Sequence, residues 1–263
     1  MQLNLRVRSA SGEIKAEAQG EDEAILVHHA AYEEGDGLEL TASGPGHVWC
    51  SFDAALTPAL LYLREPHFRL PIPFGEKRMP YAPQAFVGTL HRLIVRRADA
   101  GEIAGRRNLA LNPLDQHANH TLFPRAEATV ETRGEAQFAA RNAIDGEKAS
   151  FDHGSWPFTS WGINKDPEAA ITVHFGRPVS IDEVVLYLRA DFPHDAWWNA
   201  ATVSFSDGSS ESVTLEKTGR GQRFAIAPRR VEWMKLHSMI KADDPSPYPA
   251  LTQIEAWGVE ADD

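Results

Sequence analysis

The chain has 263 residues, 43% of them hydrophobic and 24% charged, which suits one large or two medium soluble domains and excludes a disordered or fibrous protein. The formal net charge of −11 is uneven, with −2 over residues 1–110 and −9 over residues 111–263. A surface of that sign repels a phosphate backbone, which argues against nucleic acid as a partner and favours a cation or a neutral, hydroxyl-rich ligand.

In chain order, the opening Met1-Gln-Leu-Asn-Leu-Arg-Val-Arg8 alternates like a strand. It lacks the charged-then-apolar order of a secretory signal, so the cytoplasm is the expected location. Apolar alternation bounded by Gly, Pro, Asn and Asp predicts strands at Leu3–Arg8, Ala24–Ala30, Leu38–Thr41, His47–Phe52, Ala59–Arg64, His67–Ile72 and Leu90–Ala98. Turns are signalled at Glu34–Gly37 and Ser43–Gly46. Seven strands in about a hundred residues make one β-sandwich, assigned to residues 1–107. The proline-rich Leu70–Gly75 belongs at a sheet edge. Of His28 and His29, strand alternation turns one inward and one outward. Cys50 is the single cysteine, so no intrachain disulfide forms, as in a reducing compartment; beside Trp49 it reads as a small buried hydrophobe.

Asp99–Asn108 predicts a short helical turn, and Phe138–Ile144 another. Between them residues 108–125 have neither helix nor strand period and too few Gly and Ser for a flexible linker, so they are read as an ordered connector lying against the second domain. Strands resume at Ala170–Phe175, Ile181–Leu188 and Ala201–Phe205 in a second domain, 126–258, before a tail at 259–263. No apolar run reaches the roughly 18 residues of a membrane span. The unusual residues of this half lie in loops: Asp152–Pro157, Asp191–Trp198 and Asp243–Pro249. Trp, His and Asp gathered in loops make a binding surface more often than a core, because a sandwich core draws on its strands.

Ala140-Arg-Asn-Ala-Ile-Asp-Gly146, Ser160-Trp-Gly162, Ile171–Val184, Ala201–Gly208, Val231–Leu236 and the closing Leu251–Gly258 resemble, in order and spacing, the discoidin or coagulation-factor F5/8 type C domains. These are grouped with galactose-binding-like folds and family-32-type carbohydrate-binding modules. The resemblance covers residues 126–258 and implies an all-β protein of two β-sandwich, jelly-roll-like domains, the C-terminal one discoidin-like. It further implies a structural calcium where the Asp-Gly loop meets the last strand, with Asp145, Ser150 and Glu255 as ligands by position.

The loop residues themselves point to a sugar. An aromatic face stacks on the C–H side of a ring while carboxylates, imidazoles and guanidinium groups bind its hydroxyls. The candidate ligand-binding set is His153, Trp156, Arg189, Asp191, His194, Asp195, Trp197 and Trp198, with at least one Trp expected in the core. The first reading is therefore a noncatalytic carbohydrate-binding protein. The alternative is a sugar-active hydrolase or lyase, metal-assisted or not, with His194, Asp191 and His117 at the junction of connector and loops. Asp115 and His120 are in reach of the same rim, but His117-x-x-His120 lacks the further ligands of a zinc site. No nucleophile elbow, phosphate loop or glutamate pair accompanies them, and Glu131 and Glu135 read as surface or structural charges, so the balance leans away from catalysis. The third reading is an interaction subunit of a glycan-processing complex, with a partner enzyme or a second copy of the chain as its partner.

Overall fold

The computed structural model describes residues 1–151, 154–189 and 195–261. The first half contains β1 (Gln2–Arg8), β2 (Ile14–Glu21), β3 (Glu23–His28), β4 (Gly37–Ala42), β5 (Gly46–Ser51), β6 (Ala59–Leu63), β7 (His67–Pro71) and β8 (His91–Arg97). They form two antiparallel sheets, β2-β1-β4-β7 and β10-β6-β5-β8-β3, the latter completed by a connector strand, β10 (Leu122–Phe123). Leu3, Leu5 and Val7 of β1 face Leu38 and Leu40 of β4 and the inward residues of β5, β6 and β8 in one buried core. The period-2 pattern of β1 is what sends those three side chains inward and the residues between them out.

Two local features follow from composition. The strand that ends at Pro71 is the edge of its sheet, where a missing N–H costs no ladder bond. β2, on the opposite edge, is absent from the sequence expectation because its inward positions are alanines, too small to mark a strand. His28 is buried and His29 exposed, as alternation requires. Cys50 is buried, and burial pushes its thiol well up, so it is no nucleophile.

After the short helix α1 (Ala100–Ala104), the connector pairs with both halves. β9 (Arg107–Asn108) joins the last strand, β10 joins β6, and β11 (Arg125–Ala128) joins the sheet of the second half. The connector is thus not confined to the second domain, because its backbone groups find ladder partners on both sides. Asp115, also in the connector, is fully buried; its Oδ1 accepts from Asn119 Nδ2 at 2.8 Å and its Oδ2 from the Ala126 amide at 2.8 Å. Burial pushes its carboxyl up to about 6. With Arg141 Nε donating to its carbonyl at 2.7 Å, Asp115 organises the connector and is not part of a catalytic rim.

The second half adds β12 (Trp161–Gly162), β13 (Ile171–Leu188), β14 (Trp198–Phe205), β15 (Ser210–Thr214), β16 (Gln222–Lys241) and β17 (Ala250–Glu260). The strands expected at 170–175 and 181–188 are one long bent strand, β13, whose register with β16 breaks between His174 and Val179 and again between Ile181 and Glu183. Bulges of this kind bend a strand so that one antiparallel sheet curls over a common core, here Trp161, Phe175, Val184, Trp198, Phe205 and Met234. The bend is also where the connector docks. Gly176 has φ +73°, and a Cβ there would stand 2.3 Å from Cγ of Phe123, so only glycine admits the ring.

The two halves are also joined by charge. Glu260 of β17 receives Arg107 and Arg177 and lies 3.2 Å from Nε2 of His47 in the first half. Burial by itself would raise the Glu260 carboxyl, but the neighbouring His47 ring and the hydrogen bonds and charge of Arg177 hold it far below the ordinary 4.5. A carboxylate depressed in this way stabilises the fold above its unfolded value and loses that contribution as pH falls below it. Glu260→Gln should therefore lower the melting temperature at pH 7, and the gap to wild type should narrow as pH is taken below 4.5; a gap independent of pH would show that charge is not what Glu260 supplies.

Candidate functional site

The end of the second sheet where β12, the close of β13 and the start of β17 meet forms a pocket of about 220 Å³. Its position follows from three pairings. Gly162 pairs with Ala250, Leu188 pairs with Leu251, and the Arg189 amide donates to the Ala250 carbonyl at 2.9 Å. A parallel bridge between Ala196 and Pro249 brings the approach to β14 alongside.

The floor is ionic and out of water. Nε of Arg189 lies 3.4 Å from Oδ2 of Asp195, with each side chain 3% exposed. The Arg189 guanidinium carbon stands 5.9 and 6.0 Å from the ring centroids of Phe138 and Phe158. The walls are mixed: Phe138, Thr132 and Arg133 on one side, Ile163, Asn164 and Lys165 on another, Tyr248 and Pro249 on a third. Tyr248 is 45% exposed and carries the Lys165 ammonium 4.8 Å from its ring centroid. Arg133 is paired with Glu135.

The backbone around this pocket is unusual. Six non-glycine residues among those described have positive φ, and three of them, Arg133 (53°), Asn164 (50°) and Lys165 (64°), line it. Asn164 and Lys165 are the two central residues of a turn closed by the Asp166 amide on the Ile163 carbonyl at 2.9 Å, a turn type that takes positive φ at both. The turn is held by Thr132, whose Oγ1 accepts from the Asn164 amide at 3.0 Å. Gly162 makes room for that hydroxyl, since a Cβ there would come within 2.5 Å of it.

Of the residues expected at the site, Arg189 and Asp195 meet in this pocket. His153, Asp191 and His194 lie outside the described residues. Trp198 is 1% exposed in the sandwich core, and Trp197 packs against the same core, so neither presents a face to the pocket. Their alternation at the start of β14 points Trp198 inward. Trp156 stands elsewhere, beside Tyr81 of the first half in two adjoining clefts. Phe138, Asn164, Lys165 and Tyr248 were not singled out by sequence. Only Tyr248 had a signal, its place in the unusual segment Asp243–Pro249.

His117 is also apart from the pocket. Its Nε2 lies 2.8 Å from Oε2 of Glu131, whose Oε1 accepts from the Ala140 amide at 2.7 Å. The Glu131 hydrogen bond raises the imidazole above its ordinary value. Burial opposes ionisation of Glu131, but His117 and the Ala140 amide hold its carboxyl low. His117 opens instead on a groove of about 750 Å³ between the connector and the Pro71–Tyr81 segment.

The calcium ligands implied by resemblance are engaged otherwise. Asp145 Oδ1 accepts from Gln253 Nε2 at 2.7 Å and from the Glu147 amide at 2.8 Å, and burial pushes its carboxyl up to about 7. Glu255 is ion-paired with Lys148 and accepts from the Trp257 indole at 2.7 Å, while Ser150 is exposed. Among the described residues no three His, Cys, Asp or Glu side chains come together to hold a metal. An ammonium and an amide N–H thus occupy the two carboxylates that a hard cation would need, and the residues in this arrangement do not fit a calcium cage.

The profile of a domain of unknown function (DUF7402) matches residues 121–243. No curated protein matches the chain. Among solved structures, it is similar to chitosan-binding module 1 of a chitosanase/glucanase from Paenibacillus sp. IK-5, at 21% identity and a TM-score of 0.41 over 59% of this chain and 100% of that one. It is similar also to the family 32 carbohydrate-binding module of C. perfringens NanJ in complex with galactose, at 16% identity and a TM-score of 0.39 over 50% and 91%. A third is a fucose-binding module from Streptococcus pneumoniae, at 13% identity and a TM-score of 0.43 over 59% and 99%. Likeness of this degree says nothing of a ligand.

Trp198→Ala should destabilise the protein by about 3–5 kcal/mol in urea unfolding, the cost of emptying a large core site. A cost near zero would return Trp198 to the surface. Adding calcium or a chelator should leave the melting temperature unchanged, and a rise with calcium would mean that the ion displaces Lys148 from Glu255.

Proposed function

We propose that the chain binds a carbohydrate in the pocket between β12, β13 and β17. One observation carries the reading: a half-exposed aromatic face, Tyr248, stands among Arg133, Asn164, Lys165, Arg189 and Asp195 over an apolar wall at Phe138. A sugar ring is amphipathic in the same way, with C–H groups on one face and hydroxyls around the edge, so it needs an aromatic surface and fixed hydrogen-bonding groups within one ring's width. The residue-by-residue resemblance of 126–258 to carbohydrate-binding modules supports the same reading. At about 220 Å³ the pocket is smaller than the roughly 300–1,000 Å³ typical of larger ligands, which suits one ring at the end of a glycan or one unit of a chain.

Catalysis is a second reading with one observation in its favour, the His117–Glu131 pair facing the large groove. A carboxylate that orients an imidazole is a general acid–base unit, yet this one lies apart from the Tyr248 pocket, and the other carboxylates lining the groove, Glu34, Asp36 and Glu76, come from the first half, with Asp36 paired to Lys15. Binding without turnover is the stronger reading.

The test is a glycan array followed by titration of the best ligand, with the bound glycan recovered and examined for cleavage. Selective retention of intact glycan is expected. Tyr248→Ala should weaken it roughly two- to tenfold, the worth of one aromatic contact, without moving the urea midpoint. A wild-type protein that retains no glycan sinks the proposal, and cleaved product would transfer it to the His117 groove.

A further inference from the structure

Resting on the carbohydrate reading of this pocket, we propose that its ligand is an acidic sugar, a ring bearing one carboxylate, with Lys165 as the counter-charge.

The pocket contributes three cations, Arg133, Lys165 and Arg189, and one carboxylate, Asp195. Two of these cations have protein partners. Arg189 is paired with Asp195, and Arg133 with Glu135 through two hydrogen bonds. Lys165 differs: among the described residues no carboxylate lies within ion-pair distance of it, and its contact is the face of Tyr248. The next residue, Asp166, turns its carboxylate to the Glu168 amide, from which it accepts at 2.9 Å.

The backbone places that ammonium. Residues 163–166 form a turn closed by the Asp166 amide on the Ile163 carbonyl at 2.9 Å, with both central residues, Asn164 and Lys165, left-handed as such a turn requires. The Thr132 hydroxyl ties the turn down through the Asn164 amide. The ammonium thus stands on the rim, above an aromatic surface half exposed to solvent.

The surrounding charge sharpens the inference. Residues 111–263 carry −9, and in that negative half Lys165 is a rim cation with no carboxylate in ion-pair distance among the described residues. A densely charged polyanion would be repelled by the rest of that surface, whereas a single anionic group on a ring stacked against Tyr248 gains the lysine at close range. The ring and the charge are then read together: the aromatic takes the C–H face and Lys165 takes the substituent projecting from the ring edge. A sulfate ester on a neutral sugar offers the same anionic oxygens as a uronate carboxylate, and affinity alone separates the two.

The experiment is calorimetric titration of the whole chain with three matched probes: galactose disaccharide, galacturonate disaccharide and a monosulfated galactose disaccharide. Wild type is expected to bind the uronate roughly tenfold more tightly than the neutral sugar at low salt, as a charge-assisted hydrogen bond allows. That ratio should shrink as salt is raised. Lys165→Met should bring the ratio close to one and Lys165→Arg should keep it. Lys165 is exposed, so neither variant threatens the fold. If the sulfated probe binds more tightly than the uronate and obeys the same lysine dependence, the anionic reading stands and its source is sulfate. If the neutral sugar binds as tightly as both anions, or the ratio survives Lys165→Met, the charge assignment is overturned while the carbohydrate reading stands. If none of the three probes nor any glycan on an array binds, the carbohydrate reading itself has failed.

Discussion

An ion pair removed from water, Arg189 with Asp195, is the constraint around which the second half of this protein is arranged. Burying a charge costs several kcal/mol per ion unless it meets an opposite charge in good geometry, and each of these two gives the other a counter-charge. The pair ties the residue that follows β13 to the residue that leads toward β14. Phe138 and Phe158 lie close to the guanidinium, and the start of β17 hydrogen-bonds the Arg189 backbone. Strand ends that might have frayed are held in register at the place where the pocket opens.

On that rigid floor the rim is built from turns, which suits recognition. The β-ladders bury their side chains in pairs and leave few polar groups to spare, whereas the loops can aim a lysine, an asparagine or a tyrosine in directions no strand permits. The left-handed pair Asn164 and Lys165 is tolerated because Thr132 and Gly162 hold the turn from below. The direction of the turn is thus fixed by its own hydrogen bond and by the packed scaffold beneath it.

The first half contributes through the connector. Residues 107–128 supply strands to sheets on both sides, Phe123 fills the space left by Gly176, and Glu260 gathers Arg107, Arg177 and the His47 ring. The two cores are therefore joined by backbone ladders, a packed ring and a charge cluster. Glu131 faces the connector through His117, while the next residues, Thr132 and Arg133, line the pocket, so the seam and the site share one short segment.

Much of the fold was legible because β-structure writes itself as alternation. Leu3, Leu5 and Val7 announce β1, and the prolines near residue 71 announce an edge. β2 escaped because alanines give alternation no contrast, and β13 was read as two strands because its bend falls at Gly176 and Pro178, which in sequence are the marks of a turn. The site was less legible. Residue type favoured the tryptophans, yet Trp198 belongs to the core, because the alternation that sets a strand also decides which of two neighbouring rings is buried. Arg189 and Asp195 could be nominated from sequence as polar residues flanking a loop. That they form a buried pair, that Lys148 occupies Glu255, and that Lys165 lies over Tyr248 were settled only by tertiary structure. By itself the sequence determined the strands, the polarity of the loops and the sign of the charge, since those depend on neighbours a few residues apart. Which side chains share a pocket was decided by juxtapositions across 51 and 116 residues, of Phe138 with Arg189 and of Thr132 with Tyr248, and no local pattern encodes distances of that kind.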